Sequence, residues 1–241
     1  MNVNILKIAE KKAKKNYSSK FWKWFHTKRY YIQQQALTFF GDIQIFPFPL
    51  WLNFGSVSYK VNGEDFRSIT NVVQEGDILL RAYIHYVDGM VIPGFYSHAA
   101  YFSGKTDKSP QTIIHSMAEG VFEEDLFTFL RCDYVIILRP NLEKEEIPIV
   151  TDKIRSQLGT PYDFNFNFSD IKSFSCTELI YYGFESYRNK LNLNLVKRLG
   201  KDTLAPDDIL GMNARLIYVS KYNQKKVKKI LESKGNPNVK F

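Results

Sequence analysis

The chain holds two cysteines in 241 residues, and one of them, Cys176, stands directly ahead of an apolar run in "SFSCTELIYYGF" (173–184). Ser175 and Glu178 form an S-x-x-E pattern, the capping box in which each side chain bonds the other residue's backbone N–H. The spacing therefore predicts Ser175 as N-cap and Cys176 as the first helical residue. Four unpaired N–H groups and roughly half a positive charge collect at such a helix start, which predicts a thiol pKa below the free value of about 8.5. Two readings of Cys176 stand, a small buried hydrophobe or a nucleophile, and a nucleophile needs a base.

Two of the four histidines are placed to supply one. His98 opens "SHAAYFSG" (97–104) just after the turn signal Pro93-Gly94, and His115 sits inside "TIIHSM" (112–117). Strand periodicity puts His98, Ala100 and Phe102 on one face. If the two segments pair as a hairpin with 98 directly opposite 115, both imidazoles share a face with Cβ atoms about 4.5–5.5 Å apart. A slip of one residue would separate them. The set is then a thiol, a base and a polar residue to orient the base, as a cysteine nucleophile requires. The competing reading is a pair of half-core histidines satisfied by their neighbours. His26 and His85 fall outside this arrangement and read as surface or packing residues. Cys132, between Arg131 and an apolar strand, reads as packing. Two cysteines are too few for a disulfide framework or a Cys-rich zinc site, and the histidines show no H-x-H or H-x-x-x-H pairing, so neither metal nor cofactor is expected.

The elements that must position these residues follow from periodicity and punctuation. "SVSYKVNGEDFRSI" (56–69) alternates around "VNGED" and predicts a hairpin turn. "VVQEGDILLRAYI" (72–84) predicts a turn at Glu75-Gly76 and then a buried strand, and "YVIILRP" (134–140) a strand that Pro140 stops. "KTDKSPQ" is a turn-rich loop between the two histidine strands. "IPIVTDKIRSQLG" (147–159) has helical spacing with Gly159 as its stop, "PDDIL" (206–210) a short helical turn, and "ARLIYVS" (214–220) a last strand. The segment 36–56 reads as an apolar connector, the stretch after the Cys176 helix as a Lys-rich linker, and "KYNQKKVKKILESKGNPNVKF" as a fraying tail. Short strands in hairpin order flanked by helices argue for α+β with an antiparallel or barrel-like sheet packed against helices. Dinucleotide, Walker A and G-x-S-x-G fingerprints are absent.

The net charge of +8 is concentrated. Residues 1–35 carry nine Lys and Arg against Glu10 alone, a net of +8, so the remaining 206 residues are neutral. The cations are interleaved with Phe21, Trp22, Trp24 and Phe25, a pattern that fits an amphipathic arm on an anionic membrane surface or a solvated helix packing its aromatics on the domain. No fingerprint of a nucleic-acid-binding fold accompanies it, so no nucleic acid partner is expected. The most apolar stretch, "ALTFFGDIQIFPFPLWLNF" (36–54), carries Asp42, Gln44 and two prolines and is a poor membrane span. With no secretory signal either, the expected location is cytoplasmic or peripheral to a membrane. The expected organisation is a basic aromatic arm (1–45), a catalytic domain (46–220) and a basic tail (221–241).

Six blocks in order, "GDILL", "IPGFYSHAAYFSG", "IIHSMAEGV", "DYVIILRP", "GTPYDFNF" and "SCTELIYYGF", together resemble the permuted papain-like amidases, the YiiX/YaeF-type branch of the NlpC cysteine-hydrolase superfamily. The resemblance covers roughly residues 72–220. The histidine precedes the cysteine, the permuted order shared with lecithin:retinol acyltransferase relatives. The resemblance implies a circularly permuted papain-like fold, Cys176 as nucleophile and His98 as base. Its third polar position matches His115 best, with Glu119 as the alternative if the strand persists and 115, 117 and 119 alternate onto one face. Tyr162 matches the family's tyrosine before the cysteine block, where its hydroxyl either polarises a substrate carbonyl or packs. The Cys176 N–H is the natural oxyanion donor. The implied reaction is acyl transfer from an amide, ester or thioester without a metal. The substrate is a peptide-like or cell-wall-derived amide, or a lipid; a binding module that keeps the fold is the non-enzymatic alternative.

Overall fold

The computed structural model describes residues 20–41, 44–47, 50–53, 59–84, 92–107, 109–221 and 224–234. The chain divides into two compact units, Met1–Phe40 and Gly41–Phe241. The first contains nearly all of helix α1 (Lys20–Gly41). Trp24, Phe25, Tyr31 and Ile32 are all exposed on it. Residues seven apart fall on the same side of a helix, so these four form one apolar stripe, and Lys28 lies within its arc. No helix of the described residues is long and apolar enough to cross a membrane.

The second unit begins with a hairpin, β1 (Gln44–Pro47) and β2 (Leu50–Asn53), where the sequence suggested a connector. Helix α2 (Gly63–Val72) follows. The expected turn at "VNGED" is a helix start instead. Asn62 caps it, accepting the Glu64 N–H at 2.9 Å, and Asp65 accepts the Asn62 N–H at 2.9 Å. An Asn before a Gly serves a helix cap as well as a hairpin, and here the carboxylate three residues on decides. Residues 54–58, the start of that proposed hairpin, lie outside the described residues.

Next come β3 (Ile78–Ala82), β4 (His98–Gly104), β5 (Thr112–Met117), β6 (Gly120–Asp125), α3 (Leu126–Phe129), β7 (Tyr134–Pro140), α4 (Glu146–Arg155) and α5 (Cys176–Gly183). A 3₁₀ turn leads to α6 (Arg188–Leu191), and then follow β8 (Val196–Arg198), β9 (Lys201–Thr203), α7 (Pro206–Ile209), β10 (Ala214–Val219) and α8 (Gln224–Lys234). The expected Lys-rich linker is thus α6 and the β8–β9 hairpin. The main sheet has the order β10-β7-β3-β4-β5-β6 with every pair antiparallel. β10 and β6 do not pair with each other, so the sheet is open and the barrel-like alternative is not realised.

Both faces of this sheet are covered, which explains the apolar runs Ile78–Leu80 in β3 and Val135–Leu138 in β7. Ile78, Leu80, Ala99, Tyr101, Ile136 and Leu138 face a core built with α4, α5 and α8; Leu79, Ala100, Phe102, Val135 and Ile137 face another with Ile69 and Phe129. The C-terminal segment does not fray over 224–234. Its helix α8 places Val227 and Leu231, each 1% exposed, in the first core. Burying one such side chain contributes roughly 1.5–3 kcal/mol, which outweighs the poor helix pattern of a Lys-rich run.

Candidate active site

The capping box read from "SCTE" is present. The Ser175 hydroxyl accepts the Glu178 N–H at 3.4 Å, and the Ser175 N–H donates to Glu178 Oε2 at 2.6 Å. This helix start is tied to the sheet, because Ser116 Oγ of β5 donates to the Phe174 carbonyl at 2.5 Å. It is also tied to the segment before it, where the Phe174 N–H donates to the Pro161 carbonyl at 3.0 Å. The strand carrying His115 therefore also fixes the residue two before Cys176.

The thiol is 6% exposed. Burial pushes it up to about 11, although the N–H groups of Ala99 and Thr177 act on the sulfur and pull it down. The expected depression below the free value is not realised. A helix start stabilises a nearby anion by about 0.3–2 kcal/mol, and desolvation of the charged form exceeds that here. The Ala99 contact sets the sulfur near the backbone one residue along from His98, whose own side chain leaves β4 on the alternate face, with Ala100 and Phe102 against Phe129.

The two histidines meet by a different register from the expected one. The β4–β5 ladder pairs Tyr101 with Ile114 and Phe102 with Ile113, then shifts to Gly104 with Thr112. Carried on from Tyr101, it sets His115 opposite Ala100 and His98 opposite Met117, an offset of two residues rather than direct pairing. Because the side-chain period is two, the offset keeps both imidazoles on one face. Diagonal neighbours remain within reach of ring side chains, and His98 Nε2 lies 3.0 Å from His115 Nδ1. His115 is fully buried, its ring 4.5 Å from that of Phe122, and both imidazoles pack against Phe129. Burial holds His98 well below the usual histidine range and His115 down at about 3, and the neighbouring Arg81 charge adds to both.

β5 ends at Met117, and Glu119 falls in the turn that follows, so the alternation that would have carried it beside His115 is not sustained. Tyr162 is half-buried, its ring 4.7 Å from Phe164 and 6.4 Å from Phe166. His85 lies outside the described residues, as does the side chain of His26.

Sequence reasoning missed Arg81 and Asp207. Arg81 pairs with His98 across β3–β4, is 5% exposed, lies 4.5 Å over the Phe129 ring and donates to the Phe129 carbonyl at 3.2 Å. Its only sequence signal was a cation inside an apolar strand. Asp207, in α7, accepts the N–H groups of Phe95 and Tyr96 at 2.8 Å each and so holds the segment that delivers His98. Gly94 lets it approach, since a Cβ there would stand 2.5 Å from the Asp207 carboxyl carbon.

Glu178 has a second property. Burial pushes its carboxyl up to about 8, and the neighbouring Asp163 carboxylate adds to the rise. Asp163 itself accepts the N–H groups of Asn165 and Asn167, at 2.7 and 2.6 Å. With its folded pKa above its unfolded one, Glu178 contributes stability that is fully present below about 4.5 and is lost as pH rises through about 8. Glu178→Gln, which keeps an acceptor for the Ser175 N–H, should therefore gain relative to the native protein by up to about 1.4 kcal/mol per pH unit across that window. Urea midpoints of the two proteins at pH 5.5 and 8.5 check this, and a pH-independent difference would rule it out.

Residues 72–231 match the family described as "Permuted papain-like amidase enzyme, YaeF/YiiX, C92 family". The chain belongs to this family. Its matched span runs from the last residue of α2 into α8 and takes in Cys176, both sheet histidines and the Asp207 anchor. A solved structure, the metalloprotein YiiX from Escherichia coli O157:H7, is similar over 61% of this chain and 95% of that one, at 16% identity and a TM-score of 0.45. No curated protein matches the chain. Among the described residues, no three His, Cys, Asp or Glu side chains group as a metal site requires.

Proposed function

We propose that the protein is a cysteine hydrolase that cleaves a peptide-like or cell-wall-derived amide through an acyl-enzyme on Cys176. The single observation that carries the reading is that the helix-start thiol of Cys176 is met by the Ala99 N–H, one residue along the chain from His98; the 3.0 Å contact of His98 Nε2 with His115 Nδ1 supports it. Membership of a papain-like amidase family supports it.

In this mechanism His98 Nε2 carries its proton toward His115, which leaves Nδ1 with the lone pair that takes the thiol proton. Burial disfavours both the thiolate and the imidazolium before substrate arrives. The proton therefore moves as the sulfur attacks, not ahead of it. The tetrahedral oxyanion is met by the Cys176 N–H at the helix start. Collapse breaks the C–N bond, the His98 imidazolium protonates the leaving amine, and water then releases the acid by the same steps. The unit Gly41–Phe241, with α8 in its core, does this work in our reading, rather than residues 46–220 alone.

A second reading, a lipid-directed acyltransferase or acylhydrolase, is favoured by the exposed stripe of Trp24, Phe25, Tyr31 and Ile32 on α1. Profiling short-chain thioesters, lipid esters and peptide amides, with Cys176→Ala as control, separates the readings. Turnover by Cys176→Ala equal to that of the native protein would reject both.

The arm has its own test. Residues 1–35 should bind anionic vesicles less as salt rises, because each Lys or Arg near such a surface is worth about 1 kcal/mol and is screened. Binding should persist at high salt, since apolar insertion of the stripe is not screened. Co-sedimentation of full-length and arm-deleted protein checks this, and equal pelleting of the two forms would return α1 to a solvated helix.

A further inference from the structure

The reading of His98 as base leaves a proton unaccounted for. If His98 Nε2 donates to His115 Nδ1, then neutral His115 must carry its own proton on Nε2. That nitrogen is buried and has no hydrogen-bond partner among the described residues. The carboxylate Oε2 of Glu124 stands 3.6 Å from it. Register explains why: β5 and β6 pair His115 with Phe122 and Ile113 with Glu124, so Glu124 is the diagonal neighbour of His115 on the same face.

We propose that Glu124 is a positioning residue that completes a Glu124–His115–His98 relay and selects the tautomer in which His98 Nδ1 is free to accept the Cys176 proton. The inference rests on the hydrolase reading above. A neutral histidine pair has two hydrogen-bonded arrangements. In one, His98 Nε2–H donates to His115 and His98 Nδ1 is a base; in the other, His115 Nδ1–H donates to His98 and His98 Nδ1 carries the proton and cannot act. Only the first places a donor at His115 Nε2, and an acceptor there favours it. No proton passes to Glu124. At 3.6 Å the contact is longer than a hydrogen bond, and such bonds often tighten only when substrate is bound.

The charges around the pair fit this role. Arg81 faces both imidazoles from β3, and His98 faces His115 from β4. Glu124 is half-buried on β6, with Asp125 and Glu119 acting on it in turn. Asp125 is otherwise engaged, accepting the Ser109 hydroxyl at 2.6 Å and the Phe127 N–H at 2.8 Å. Glu124 is thus the carboxylate set to offset the imidazolium that Arg81 opposes.

The test uses the full chain with ¹⁵N-labelled histidine, which reports each ring nitrogen's proton by NMR. The native protein and Glu124→Gln, whose amide oxygen still accepts, should show His115 protonated at Nε2; Glu124→Leu should shift the proton to Nδ1. Hydrolysis of p-nitrophenyl acetate, with Cys176→Ala as blank, should fall by up to about 10⁴-fold in Glu124→Leu, the loss a wrongly held tautomer causes in a triad. Glu124→Gln should keep most of the rate, with the acid limb of its pH profile moved to lower pH because the imidazolium has lost a counter-charge. An unchanged His115 tautomer in folded Glu124→Leu overturns the proposal. If instead the hydrolysis proves independent of Cys176, the hydrolase reading falls while the tautomer measurement still decides the role of Glu124.

Discussion

His98→Ala is expected to lower Cys176-dependent turnover by at least about 10²–10⁴-fold, the usual worth of a general base, whereas His115→Ala should leave a residual rate. The difference follows from position. His98 is the imidazole whose backbone neighbour, Ala99, lies near the sulfur, while in the proposed mechanism His115 acts through its 3.0 Å contact with His98. His115 is fully buried, so truncation also opens a cavity. His115→Asn, which keeps an acceptor, is therefore the companion variant and should retain more activity than His115→Ala. The measurement is kcat/KM on the best substrate from the profiling, with thermal melts to verify folding. A larger loss in Glu119→Gln than in His115→Ala would show that the orienting residue was wrongly chosen.

The second large effect concerns the thiol. With Cys176 pushed up to about 11 and His98 held well below the usual range, thiol and imidazole both rest neutral. Alkylation of Cys176 by iodoacetamide should then rise about tenfold per pH unit from pH 7 upward, since only about 10⁻⁴ of the thiol is ionised there against a few per cent of a free cysteine. A preformed thiolate–imidazolium pair would give a plateau across the neutral range instead. Cys132 is fully buried and pushed up to about 12, so peptide mapping should find it unmodified while the fold is intact. A neutral-range plateau, or faster labelling of Cys132, would overturn this picture of the site.

Much of the site was legible because its first requirements are local. A capping box needs only residues three apart, so Ser175 and Glu178 announced the start of α5 and the place of Cys176. Apolar runs broken by Gly and Pro likewise announced β3, β4, β5 and β7, and six spaced blocks with the histidine before the cysteine carried the resemblance to the permuted family. Local signals misled where one residue serves two structures. Asn62 before Gly63 reads as a hairpin until Asp65 closes a cap, and the Lys-rich tail reads as fraying until Val227 and Leu231 find a core.

What tertiary structure alone decided is non-local. The two-residue offset between β4 and β5 depends on how the strands dock, and it sets which imidazole nitrogens meet. The charge state of the thiol depends on burial, which no four-residue window contains, and there desolvation outweighs the helix start. Arg81 and Glu124 come to the histidines from β3 and β6, brought there by sheet order, and Asp207 reaches the His98 segment from more than a hundred residues away. The residue types and their order thus determined which atoms were available for the proposed acyl transfer, and packing determined their protons, their charges and their neighbours.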